Sequence, residues 1–160
     1  MSRKGQSKIR KLKPDAKYQS EVIAKLINYS TKNGNKTPAA KQVYQALEIL
    51  QKETKSEDVL ATFENALSNI RPKVEVRPRR IGGAVYQVPT PVRGHRQLSL
   101  SIRWLVTAAR SKSNKELHSY GDKLSAELLA ALKNEGSAVG KRAEVEKMAD
   151  ANKAFAHLRW

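Results

Sequence analysis

Cysteine is absent from the 160 residues, which rules out a disulfide scaffold, a thiolate metal site and a cysteine nucleophile. Acidic residues are scarce: 15 Asp and Glu stand against 31 Lys and Arg, for a formal charge of +16 and a sequence pI near 10.2. No apolar run approaches the ~18 residues needed to span a bilayer. The basic N-terminus has no apolar segment after its charges, so it does not read as a secretory signal. Internal repeats and low-complexity tracts are missing. So are catalytic constellations: His95, His118 and His157 are scattered without metal-ligand spacing. Gly82-Gly83 is not followed by Lys and Ser/Thr, which excludes a P-loop. The chain reads as a protein that is no enzyme, holds no cofactor or metal, and sits in no membrane.

What is present is positive charge, unevenly placed. Residues 1–17 carry seven bases and only Asp15 as an acid; residues 71–96 carry seven bases and only Glu75. Each stretch is thus +6, while the rest of the chain adds +4. A solubility device would be spread more evenly. Charge concentrated in two elements points to a polyanionic partner, with nucleic acid first.

Residues 71–96 read as a β-hairpin, with a ribbon at about 73–89. Val74 and Val76, then Tyr86 and Val88, alternate with polar neighbours at the period of half-buried strands. Gly82 and Gly83 supply the positive φ of a tight turn, and Pro78 marks an edge strand or bulge. Arg79 and Arg80 stand at the tip. Their planar guanidinium forks suit phosphate.

The remainder is helical. Residues 1–13 show no apolar periodicity and are expected to be a flexible basic arm; residues 14–160 are expected to form one helical domain. Val22, Ile23, Leu26 and Ile27 make the first stripe. Thr37-Pro38 reads as the start of a second helix with Val43, Ala46, Leu47 and Leu50 inward. Ser56 is the expected cap of a third, whose face is Leu60, Phe63, Leu67 and Ile70. A fourth runs from about Arg93 to Ser111, burying Leu98, Ile102, Leu105 and Ala109 and aligning Arg96, Arg103 and Arg110 as a basic ridge. Asn114 is the expected cap of a fifth, with Leu117, Tyr120, Leu124 and Leu128 inward. A sixth, from about Val139 to beyond Asn152, has Val145, Met148 and Phe155 as its apolar face. Glu48, Glu53, Glu57 and Glu64 are expected to pair with lysines at helical spacing. The fold class is mainly α, a six-helix bundle-like domain with one protruding hairpin between helices three and four.

Several stretches in order resemble one family. They are Val74-Glu75-Val76, then Arg79-Arg80-Ile81-Gly82-Gly83 to Tyr86-Gln87-Val88-Pro89; Arg103-Trp104; and the end from Lys147-Met148-Ala149-Asp150 to Ala156-His157-Leu158-Arg159-Trp160. The chain resembles small-subunit ribosomal protein seven, of bacterial or organellar type, over nearly its whole length. It departs from that pattern at Asn35, where Lys is usual, and at Gly94 to Gln97, where a proline and two arginines are usual. Gly140, Glu146 and Leu158 replace a common lysine, histidine and tyrosine.

The resemblance implies a structural protein of the small ribosomal subunit, found in the cytoplasm or an organelle and monomeric within the ribosome. It would bind the 3′ major (head) domain of small-subunit rRNA, nucleate head assembly and lie at the E site near tRNA and mRNA. Neighbouring head and platform ribosomal proteins would be its other partners. The implied rRNA contacts are Arg3, Lys4, Lys8, Arg10, Lys11 and Lys13 of the arm, Lys36, and Arg71, Lys73 and Arg77 at the ribbon's foot. Arg93, Arg96, Arg103, Arg110, Lys112, Lys115, Lys141 and Arg142 complete that set. Arg79, Arg80, Gly82, Gly83, Tyr86, Lys153, Arg159 and Trp160 would lie near tRNA and mRNA. The rival reading is a DNA-bending architectural protein that lays an arginine ribbon in the minor groove.

Overall fold

A computed structural model describes residues 12–159. Arg3, Lys4, Lys8, Arg10, Lys11 and Trp160 therefore lie outside the described residues. Six α-helices and one 3₁₀ helix are present among the described residues, with a two-stranded antiparallel hairpin between the third and fourth α-helices. The elements are α1 (Glu21–Ser30), α2 (Lys36–Thr54), α3 (Val59–Ile70), β1 (Val74–Ile81), β2 (Ala84–Pro91), α4 (Gly94–Ser111), α5 (Tyr120–Leu132) and α6 (Ser137–Ala151). A 3₁₀ segment, Lys153–Leu158, closes the chain. The expected fold class is the observed one.

Helix α5 is the hub, packing against α2, α3, α4 and α6. Its Leu124 and Leu128 meet Leu47 and Leu50 of α2, Phe63 and Leu67 of α3, and Ile102 and Leu105 of α4 in one buried cluster. Ile23, Leu26 and Ile27 of α1 join it, while Val22 is only partly buried. Removing such side chains, as in Phe63→Ala, typically costs about 3–5 kcal/mol because the cavity closes only in part.

Three helix starts differ from expectation, two of them because a different side chain makes the cap. Asp58, not Ser56, caps α3: its carboxylate accepts the Leu60 and Ala61 amides at 2.9 and 3.1 Å. Ser56 instead shares hydroxyl hydrogen bonds with Thr54 and Thr62. Ser119, not Asn114, caps α5, in a reciprocal box with Asp122. Asn35 precedes α2, which places Thr37 and Pro38 inside its first turn, where a missing N–H leaves no helical bond unmade.

Helix α6 ends at Ala151 rather than beyond Asn152, and Phe155 belongs to the 3₁₀ segment. Its buried residues are Ala138, Val139 and Ala149; Val145 is half-buried and Met148 is exposed. The helix is seated by small side chains and by polar anchors. Glu127 of α5 is fully buried and accepts the Ala138 amide at 2.8 Å, and Lys112 Nζ lies 2.9 Å from its other oxygen. Gly136, at φ +94°, permits this approach: a Cβ there would stand 2.8 Å from Glu127 Oε1. Lys123, also buried, donates to the Lys112 carbonyl and to Asn114.

Candidate nucleic-acid interface

The ribbon forms because two eight-residue runs pair without a bulge, from Val74↔Pro91 to Ile81↔Ala84. At ~3.3 Å per residue it extends roughly 25 Å. Gly82 and Gly83 take φ +57° and +91°, the two successive left-handed residues of a tight hairpin turn. Pro78, opposite Gln87, sits on an edge, as both strands of a two-stranded sheet must.

The register sets the faces. Partners across the ladder share a face, so Val74 and Val76 lie with Pro91 and Pro89, while Tyr86 and Val88 lie with Arg79 and Arg77 on the other. Arg79 and Arg80, being adjacent, leave opposite faces of the tip. Tyr86 packs on Phe155 of the 3₁₀ segment, ring centroids 5.3 Å apart, so that face of its ring is occupied by protein. Leu158 lines a small cavity with Ile81, Tyr86 and Phe155.

At the ribbon's foot Glu75 is buried and holds two arginines. Arg77 Nη2 is 2.6 Å from Oε1, and Arg96 Nε, on the first turns of α4, is 2.7 Å from Oε2. The Val92 amide adds a 3.0 Å bond to the Lys73 carbonyl. Half of each guanidinium side chain stays exposed (52% for Arg77, 50% for Arg96), which leaves room for a phosphate on the outer side.

From Arg96 the ridge continues along α4 through Arg103 to Arg110, all exposed. At 1.5 Å per residue it covers roughly 21 Å. Arg110 Nη2 donates to the carbonyl of Ser30 at 3.1 Å, satisfying an end of α1 and joining the ridge to the α1–α2 loop. Glu75 and Ser30 thus link ribbon, ridge and loop into one cationic track. Lys36 is exposed at the start of α2, and Arg93 is exposed just ahead of α4.

Other expected contacts carry structural duties. Lys112 pairs with buried Glu127. Arg142 donates to the Asn69 carbonyl and approaches Glu146 at 3.7 Å; Glu146 also accepts the Lys73 amide at 3.2 Å. Arg71, half-buried, and exposed Lys73 border the same cleft. Lys141 pairs with Glu144 at 2.8 Å. Lys13, Lys115, Lys153 and Arg159 are exposed, as is Gly140. Trp104 is half-buried against the core.

Ahead of α1, a compact clasp holds residues 15–18 against α2. Asp15 accepts the Tyr44 hydroxyl at 2.7 Å and the amides of Lys17 and Tyr18. Burial pushes the Asp15 carboxyl up, but those hydrogen bonds outweigh it and hold the group below its ordinary range. The same bond to Asp15, with burial, pushes the Tyr44 phenol up to about 12. Lys17 Nζ lies 5.5 and 5.4 Å from the Tyr18 and Tyr44 ring centroids and 2.6 Å from Glu48. Glu48 therefore pairs 31 residues away rather than with a lysine on its own helix.

Sequence reading passed over Glu75 as a lone acid in a basic stretch. Its position in an alternating strand, facing inward with Thr90, was the available signal. Glu127 carried none. Among the described residues no group of three His, Cys, Asp or Glu is placed to hold a metal ion. No helix among them is long and apolar enough to cross a membrane.

A helical body with an arginine ribbon and a connected cationic ridge defines a protein built to grip a polyanion. The family model "Ribosomal protein S7p/S5e" matches residues 2–153. "Small ribosomal subunit protein uS7" of Thermodesulfovibrio yellowstonii is 48% identical over 160 residues, all of both chains. The proteins of that name from Acidithiobacillus ferrooxidans and Vibrio campbellii are 50% and 51% identical, over 92% and 94% of each chain. The chain belongs to the ribosomal protein S7p/S5e family.

Proposed function

We propose that this chain is a structural protein of the small ribosomal subunit. It binds the 3′ major domain of small-subunit rRNA, nucleates assembly of the head and lies at the E site, its ribbon tip and C-terminal segment near tRNA and mRNA. Neighbouring head and platform proteins cover other surfaces. The observation that carries this reading is the joined track of Arg77, Arg96, Arg103 and Arg110, running from ribbon to α1–α2 loop. The names of the relatives support it. The mechanism is electrostatic and geometric. Arginines displace counterions from phosphates, and the packed helices keep the contacts at fixed separations. Recognition is chiefly of backbone path, since the deep major groove of A-form RNA hides its bases.

A transcript of a bacterial 3′ major domain tests this. Affinity should fall roughly 10³–10⁵-fold between 50 and 200 mM salt if ~6–10 phosphates are engaged. A flat response overturns the mechanism, and equal or tighter binding to bent duplex DNA of the same length favours the DNA-bending reading.

A further inference from the structure

The loop between α1 and α2 borders a cavity of about 560 Å³, within the ~300–1,000 Å³ usual for small-molecule sites. Its floor is apolar: Pro38 and Ala39 from the head of α2, and the ring of Tyr120 at the start of α5. The Tyr120 hydroxyl is 2.8 Å from Ser30 Oγ, which fixes the ring, and burial pushes its ionisation up, so it stays a neutral surface. The Gly121 amide donates to Gln42 Oε1 at 2.8 Å, so the orientation of the Gln42 amide is set and its NH₂ is the group left to offer. Arg110 spends one nitrogen on the Ser30 carbonyl and sits exposed at the rim, with Lys32 of the loop also lining the cavity.

A neutral slot with amide donors and a cationic mouth selects among ligands. A bare phosphate would be stripped of water against Pro38, Ala39 and Tyr120 without enough charge to compensate. An aliphatic chain would leave Gln42 and the mouth unanswered. A flat heteroaromatic ring carrying a phosphate satisfies both: ring against the floor, an acceptor edge toward Gln42, phosphate toward Arg110 and Lys32. RNA supplies such groups where unpaired bases are splayed from the stack.

We propose that this cavity takes one unstacked nucleobase of the bound RNA, with Arg110 and Lys32 on its flanking phosphates. The inference rests on the rRNA reading above. The site adds recognition of a base to an interface otherwise devoted to phosphates.

The test uses the full chain, the same 3′ major domain transcript, and two floor-filling variants, Ala39→Leu and Ala39→Met, each verified as folded by circular dichroism. Three readouts are taken: affinity, the salt slope, and base-edge reactivity toward dimethyl sulfate and carbodiimide. Both variants should bind about tenfold more weakly, as expected for loss of one stacked base. Their salt slope should be unchanged, and one unpaired base protected by the parent chain should regain reactivity. A measurement on the parent chain needs no variant. Transcripts substituted with 4-thiouridine or 6-thioguanosine should photocrosslink to the peptide spanning residues 38–42 or to Tyr120. Parental affinity and protections in both variants overturn the site, as do crosslinks that form elsewhere and never there; the rRNA reading survives either result. A parent chain that fails to bind the transcript overturns both.

Discussion

Single side chains here divide into those that face outward for a ligand and those that hold the frame, and type alone does not separate them. Lys112 and Arg103 are both basic residues of, or just after, α4. Yet Lys112 neutralises buried Glu127 while Arg103 lies exposed on the ridge. Tyr44 shows the same division among phenols. Its raised ionisation, about 12 against an ordinary 10.0, arises from donating to Asp15. A phenol raised in the folded state stabilises it fully below its unfolded value and loses that contribution as pH climbs through the folded one. The clasp's Tyr44 contribution is thus present up to about pH 10 and lost toward pH 12. In ultraviolet titration Tyr44 should contribute a late ionisation, and Asp15→Asn should remove that late step while leaving in place the rise that burial gives Tyr120. Five tyrosines titrating together in the parent chain would refute the clasp.

Elements show where the primary structure was informative and where it was not. The hairpin was readable because Gly82-Gly83 is a strong turn signal between alternating runs, and α1 to α4 because their stripes are dense. Start points were less so. Both Asn114 and Ser119 are capping types, and Leu117 lengthened the apparent period backward. The Ser119-x-x-Asp122 box was the better cue. Helix α6 misled because Val145 and Met148 suggest a core face, whereas the helix is seated by Ala138, Val139 and Ala149. The ribbon tip makes a clean prediction. Arg79→Ala with Arg80→Ala changes a two-stranded element that packs on α6 and the 3₁₀ segment but supplies no residue to the buried helical cluster. Helical circular dichroism should be unchanged while tRNA retention at the E site of reconstituted subunits weakens several-fold. Loss of the helical signal would show that the tip supports the fold instead.

For the molecule as a whole, the charge count announced the partner's sign long before any contact could be assigned. The pairings among Glu75, Arg77 and Arg96 depend on tertiary approach, which periodicity does not encode. The arm belongs to this level too, since its expected role is additive to the body's. Deleting residues 1–13 should lower rRNA affinity and flatten the salt slope by the number of phosphates lost, about one per displaced cation. Thermal melting should change little, because the core cluster of the described residues is assembled from the helices. Unchanged affinity would assign the gripping to the body alone.

The buried carboxylate of Glu75 has one more effect. It fastens the ribbon's base to α4 through an ionic latch, beside the Tyr86–Phe155 packing on the 3₁₀ segment, so charge balance shares in setting the ribbon's pointing direction. Glu75→Gln would leave two guanidinium groups crowding a neutral amide. The expected result is a loss of about 1–2 kcal/mol, at the low end for broken pairs because both arginines are half in water. It should come with a wider spread of tip positions, seen as broadened spin-label distances between residue 80 and the body. A narrow, unshifted distribution would show that the hinge is held by something else. In the intact chain the latch means that the probe arrives already aimed, and its partner need not supply the energy of alignment.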